Sequence, residues 1–184
     1  FFYLMIRWLL MHYVGHGCYD RIKNIPSKYN SKKYALGWRR FIDWFDWIQA
    51  EAWNYEHNYL HQYFTGEEKD PDLVERNLEW LANSKIPILA KYGLILFFMM
   101  TWKFTYYSAR TLSYLKGNNQ VDFSNFFDIR KKSQQTMWFQ LFIPYILFHF
   151  VFLTGVFGFT YLKIRILAEL IHNMHTFLVI IPNH

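Results

Sequence analysis

The chain has 184 residues, a formal net charge of +6, and 53% hydrophobic and 22% aromatic side chains, with a single cysteine. That length allows one domain, and one cysteine excludes both an internal disulfide framework and a CxxC metal motif. The mean hydropathy of −0.06 averages very apolar and very polar stretches, so the individual segments decide whether the chain meets a membrane.

Phe1 to Met11 is a short apolar run interrupted by Arg7. It reads as the last turns of a membrane helix, with a span over about 1–14. Cys18 follows, expected as a small buried filler. From Arg21 to Arg40 the chain is strongly basic, as it is again from Arg130 to Lys132. Both clusters flank apolar runs, where basic residues mark the cytoplasmic side or contact anionic lipid headgroups; the two need not share a side and do not orient the chain. Nucleic acid is therefore not the expected partner.

Trp38, Phe41, Phe45, Ile48, Ala52 and Tyr55 recur at three- and four-residue steps, one face of a helix. Arg39, Arg40, Asp43 and Asp46 fall on the other faces. This predicts an amphipathic helix over about 38–64 lying on the membrane surface, stopped at Gly66. Asp70-Pro71 reads as a new helix start, with Asp as N-cap and Pro at the first position. A second span is expected over about 87–106, with Lys91 and Lys103 snorkelling to the interface. A third, about 138–162, lacks Asp, Glu, Lys and Arg and exceeds the roughly 20 residues that cross a bilayer. The stretch 164–182 carries Glu169, His172, Asn173 and His175. As a helix, Ile166 to Pro182 is about 25 Å long, short of a hydrocarbon core of about 30 Å, so an interfacial helix that does not span is expected. The fold class is all-α, one integral membrane helical domain over 1–184, without strand pattern or internal repeat.

The eight histidines are the informative feature. His12 and His16 are four apart, as are His57 and His61, and on a helix such residues share a face with Cβ atoms about 5–6 Å apart. Two such pairs can bind one metal or two adjacent ones. Imidazole suits Fe, Zn, Cu and Ni, and spacing does not choose between them. His149, in mid-span, reads as a packing histidine.

His12-Tyr-Val-Gly-His16-Gly17 resembles the first histidine box of the membrane fatty acid desaturases, and Glu56-His57-Asn-Tyr-Leu-His61-Gln62 the second. Trp53, Thr65-Gly66-Glu67 and Asp70-Pro71-Asp72-Leu73-Val74-Glu75 match the flanks. Thr101-Trp102-Lys103, Tyr106-Tyr107 and Asn173-Met-His175-Thr-Phe resemble further family elements. The resemblance implies a histidine-ligated di-iron oxidoreductase that uses O2 to remove two hydrogens from an acyl chain. It further implies an acyl lipid or acyl-CoA substrate and an electron donor such as cytochrome b5 or ferredoxin. The ligands it implies are His12, His16, His57, His61 and His184, with Gln62 and Asn183 behind them. Gln62 stands where the family commonly has a second histidine, and the third box is absent from these 184 residues. Both ends of the chain read as cut, so either that box lies beyond His184 or the chain is a degenerate relative. The alternatives left open are a non-catalytic desaturase-fold subunit of a respiratory or photosynthetic complex, and a zinc- or haem-binding membrane protein. An endoplasmic-reticulum membrane and a mitochondrial or plastid membrane are not distinguished.

Overall fold

The structure, a computed structural model, describes residues 1–115 and 127–180. The described residues are all-helical and contain no strand. Helix α1 (Phe2–Gly15) buries Leu4, Trp8, Met11 and Val14 at helical spacing, while Tyr3, Ile6, Leu10 and Tyr13 on the remaining surface are exposed. It ends where Gly17 takes φ 72°, a left-handed conformation that glycine adopts at little cost. Short 3-10 turns (Cys18–Arg21, Ser27–Tyr29, Gly37–Arg39) then lead to α2 (Arg40–Asp43).

The expected surface helix over 38–64 is two pieces. Trp44 leaves helical geometry at φ −153°, ψ 78°, and α3 resumes over 50–64. Tertiary bonds capture the backbone between them. The carbonyl of Asp46 accepts from Arg40, that of Trp47 from Ser108 Oγ at 2.6 Å, and the Asp46 carboxylate caps the Trp47 amide at 2.8 Å. The expected apolar face dissolves accordingly. Trp38, Phe41 and Tyr55 are exposed, whereas Trp44, Phe45, Ile48, Ala52 and the supposedly outward Arg40 and Asp46 are buried.

Helix α4 starts later than expected, over Val74–Ala82 with Leu73 as its N-cap. Asp70 does not cap it; its carboxylate serves the site described below. Helix α5 runs over 88–115 with a π-helical turn at Lys103–Tyr107. There the Lys103 amide donates to the Asn173 side chain at 2.7 Å. Lys103 does not snorkel: it is buried, with Nζ 3.0 Å from Asp46.

Helix α6 covers 132–157 with two π-helical turns, Thr136–Phe142 and Leu147–Phe152. Pro144 offers no N–H to the Gln140 carbonyl four residues back, and the Arg40 guanidinium donates to that carbonyl at 2.8 Å. The expected continuation to residue 162 stops at Gly158, whose φ of 82° starts a separate helix, α7 (Phe159–Ile180). Among the described residues, two helices, Ile88–Ser113 and Thr136–Phe157, are long and apolar enough to cross a membrane.

Helix α7 begins at Phe159 and not at 164, and its polarity is the reverse of a helix in water. Arg165, Glu169, His172, Asn173 and Thr176 are buried, while Ile164, Leu167, Ile171 and Leu178 are exposed. The inward charges are paired. Arg165 donates to Glu169 at 2.6 Å and to the Tyr145 hydroxyl, and Tyr145 donates to Glu169. Lys103 stands 3.9 Å from Glu169. A buried charge without a partner is costly, so this stripe is what fastens α7 to α5 and α6. The remaining core is aromatic: Trp8, Trp44, Trp53, Trp102 and Tyr107 pack together with Met11, Ile48 and Ala50.

Candidate metal centre

One histidine pair and the first member of the other meet at the end of α1. His12, His16 and His57 each offer a nitrogen, and these ligand atoms all lie within 4.8 Å of one another. The ring centroids are 4.6 Å apart for His12–His16, 5.1 Å for His12–His57 and 5.0 Å for His16–His57.

Helix α1 can approach α3 this closely because residue 15 is glycine. A Cβ there would sit 2.4 Å from Asn54 Oδ1 and 2.7 Å from the Trp53 ring, inside any tolerable contact. The Asn58 amide locks the crossing by donating to the Gly15 carbonyl at 2.9 Å. Trp53, buried in the aromatic core and donating Nε1–H to the Tyr107 hydroxyl at 2.9 Å, stacks on the His57 ring with centroids 4.3 Å apart. The sequence reading assigned neither Gly15 nor Trp53 a part in placing the imidazoles. Its available signals were a glycine between two paired histidines and a tryptophan four residues before another.

The donor set fits a transition-metal ion. The Nε2 atoms of His12 and His16 are 3.1 Å apart, and two imidazole nitrogens bound to one ion at about 2.0–2.1 Å stand about 3.0–3.4 Å from each other. Burial lowers the His16 imidazole below its ordinary pKa, which favours the neutral ring that a metal needs.

No family model, no characterised protein and no solved structure matches the chain. The centre therefore has to be read from its own residues.

His61, the fourth expected ligand, stands next to this group and outside it. It closes a π-helical turn, Glu56–His61, and stacks on His57 with centroids 5.2 Å apart. Its Nδ1 is 2.8 Å from Asp70 Oδ1. Asp70 also accepts the amides of Gly66 at 2.9 Å and Asp72 at 2.8 Å. Burial opposes ionisation of Asp70, but these donors outweigh it and hold its carboxyl below the usual range. With Nδ1–H directed at Asp70, the lone pair of His61 is on Nε2, as in carboxylate–histidine–metal arrangements. Gln62, expected to face the site, is exposed, and Cys18, expected to be buried, is exposed as well. His184 and Asn183 lie outside the described residues. His149 is buried against Tyr145 and Phe45, as expected of a packing residue. His175 packs on Phe1, and neither it nor His172 belongs to the triad.

Glu56, next to His57 in the second-box stretch, and Asp72, in its flank, form a buried acidic pair to which the resemblance attached no role. Glu56 is fully buried and Asp72 nearly so, and neither Glu56 carboxylate oxygen is hydrogen-bonded. Burial, reinforced by Asp72, pushes Glu56 well above the ordinary carboxylate range, and burial raises Asp72 to about 6. Both shifts favour the protonated carboxyl over the carboxylate. Ala52, Trp53 and Glu56 share the inward face of α3 by the helical i, i+3, i+4 rule; that periodicity is the signal that could have found Glu56.

Proposed function

We propose that this chain is the histidine-bearing part of a membrane-embedded fatty acyl desaturase or hydroxylase. The observation that carries the reading is the convergence of His12, His16 and His57 from two helices on one point. The order of the histidine boxes and their flanks supports the family. The exposed apolar surfaces of α1, α5, α6 and α7 support a bilayer as the surrounding medium.

The residues divide the work. His12, His16 and His57 would hold an iron, and Trp53 and Gly15 set their positions. Asp70 holds His61 through Nδ1, the position in which a histidine would ligate a second iron through Nε2, together with ligands such as His184. Glu56 and Asp72 place a buried acidic pair, shifted toward its protonated form, beside the helix turn that carries His57 and His61. Iron, when bound, supplies activation of O2 and abstraction of hydrogen from an acyl chain; cytochrome b5 or ferredoxin would supply electrons.

The test is metal content and acyl-chain chemistry of the full-length protein purified from membranes. Iron is expected in the wild type, with at least about a tenfold loss of retention in His12→Ala and His57→Ala and none in the exposed Gln62→Ala. Cellular lipids should gain double bonds or hydroxyls on expression. Iron content insensitive to the triad variants would sink the reading. Iron bound without any change in lipids would favour the non-catalytic subunit, a reading that the exposed Gln62 and the limit of three converging imidazoles also suit.

A further inference from the structure

We propose that the lobe between α1 and α2 docks on anionic phospholipid headgroups at the bilayer face next to the histidine triad. Residues 21–42 contain seven Arg and Lys and no Asp or Glu. Two of the seven serve the fold. Arg39 pairs with Asp43 at 2.7 Å, and buried Arg40 donates to the carbonyls of Gln140 and Asp46. Arg21, Lys23, Lys28, Lys32 and Lys33 remain, all of them exposed.

The lobe's own bonds tie together the stretches that carry Arg21, Lys28, Lys32 and Lys33. Ser31 donates its amide and hydroxyl to the two oxygens of Asp20 at 2.8 and 2.7 Å, which brings Arg21 and Lys32 to a common neck. That clasp also engages the acid nearest the lobe. Lys33 Nζ donates to Ser27 Oγ at 3.3 Å, which ties Lys33 to the residue before Lys28. The Tyr34 hydroxyl donates to the Asp43 carbonyl at 3.1 Å and fixes the lobe to α2. The backbone that carries these cations is therefore tied down before any ligand arrives, so less ordering entropy opposes binding.

Apolar side chains share the segment: Ile22, Trp38 and Ile42 are exposed by 52%, 69% and 68%. A basic surface interleaved with exposed aromatic and aliphatic groups matches a membrane interface, where ammonium and guanidinium groups meet phosphate and the apolar groups enter the acyl boundary. A purely acidic soluble partner would account for the cations and not for these apolar groups. The lobe also leaves directly from the end of α1, whose outward Tyr3, Ile6 and Leu10 are exposed and apolar, so it sits where an apolar surface gives way to a polar one.

The inference rests on the membrane reading above and not on the metal. The full-length protein in detergent is titrated with mixed micelles containing phosphatidylglycerol or phosphatidylcholine, and retained lipid is counted by native mass spectrometry. Phosphatidylglycerol should be retained about tenfold better at low salt, each surface cation contributing, and the preference should fade at about 1 M salt. Changing Arg21, Lys23, Lys28, Lys32 and Lys33 together to Gln should abolish the preference with helicity and iron content unchanged. Changing the four lysines to Arg should keep it. Equal retention of both lipids by the wild type would overturn the proposal, as would a preference that survives in the Gln variant. So would capture of an acidic soluble protein without lipid selectivity. Because iron is measured on the same samples, loss of the lipid preference and loss of the metal site are separate results.

Discussion

At the scale of single residues, Gly15 shows how one missing Cβ positions a site. Any side chain there enters space held by Asn54 and Trp53, and both lie on the helix that carries His57. Gly15→Ala should therefore separate α1 from α3. We expect a loss of about 1–3 kcal/mol of stability, the usual cost of overpacking, together with weaker binding of cobalt(II) as an optical probe of the triad. Unfolding curves and cobalt spectra check both, and an unchanged cobalt spectrum would show that the close approach is not needed.

Asp72 supplies the pH dependence. Its carboxyl titrates near 3.8 in an unfolded chain and near 6 in the fold, so the folded state binds the proton more tightly. The contribution of this group is fully present below pH 3.8 and is lost as pH rises through about 6. Asp72→Asn should flatten that slope and raise stability at pH 7 by about 1–3 kcal/mol. Denaturant unfolding at pH 5 and pH 7 measures it, and a steeper slope in the variant would contradict the sign.

At the scale of elements, the breaks in the helices are where the tertiary bonds attach. Pro144 denies the Gln140 carbonyl a helical donor, and Arg40, one hundred positions away in sequence, supplies one. Arg40→Ala should cost about 1–3 kcal/mol, the penalty for carbonyls left without partners. In a Pro144→Ala background residue 144 regains its N–H, and the cost of Arg40→Ala should fall. A double-mutant cycle reads this coupling; equal costs in both backgrounds would mean that the two residues act independently. The π-helical turn of α5 follows the same logic, since its Lys103 amide is taken by Asn173.

At the scale of the whole molecule, the decisive property is the distribution of polarity. The bundle hides Arg165, Glu169, Lys103 and Asp46 and exposes Leu167, Ile171 and Leu178. In a bilayer the exposed face of α7 meets acyl chains and the hidden one meets protein. Leu167→Lys should then cost about 2–3 kcal/mol or more in membranes, whereas surface substitutions in water are usually within about 0.5 kcal/mol. Cysteines at 167 and 171 should resist a charged maleimide in intact membranes and react once the protein is in mild detergent. Rapid labelling in membranes would place this face in water.

The sequence by itself determined the helical class, the apolar runs and the two histidine pairs, because these are local patterns: side chains every three to four residues and imidazoles four apart. For 164–182 the same local chemistry led only to an interfacial helix that does not span, since leaving Glu169, His172 and Asn173 in lipid is costly; that these residues turn inward onto protein is a tertiary result. Only the tertiary structure decided that His12, His16 and His57 converge while His61 turns to Asp70. That outcome depends on a helix crossing permitted by Gly15 and on a carboxylate nine residues along the chain from His61. The break at Trp44 was equally out of reach. The pattern over 38–64 favours an unbroken helix, and what overrides it are bonds from Arg40 and Ser108 to the Asp46 and Trp47 carbonyls. Those bonds arise from burying charged and polar groups in pairs, and a pair can be read only once its second member has been brought into contact by the fold.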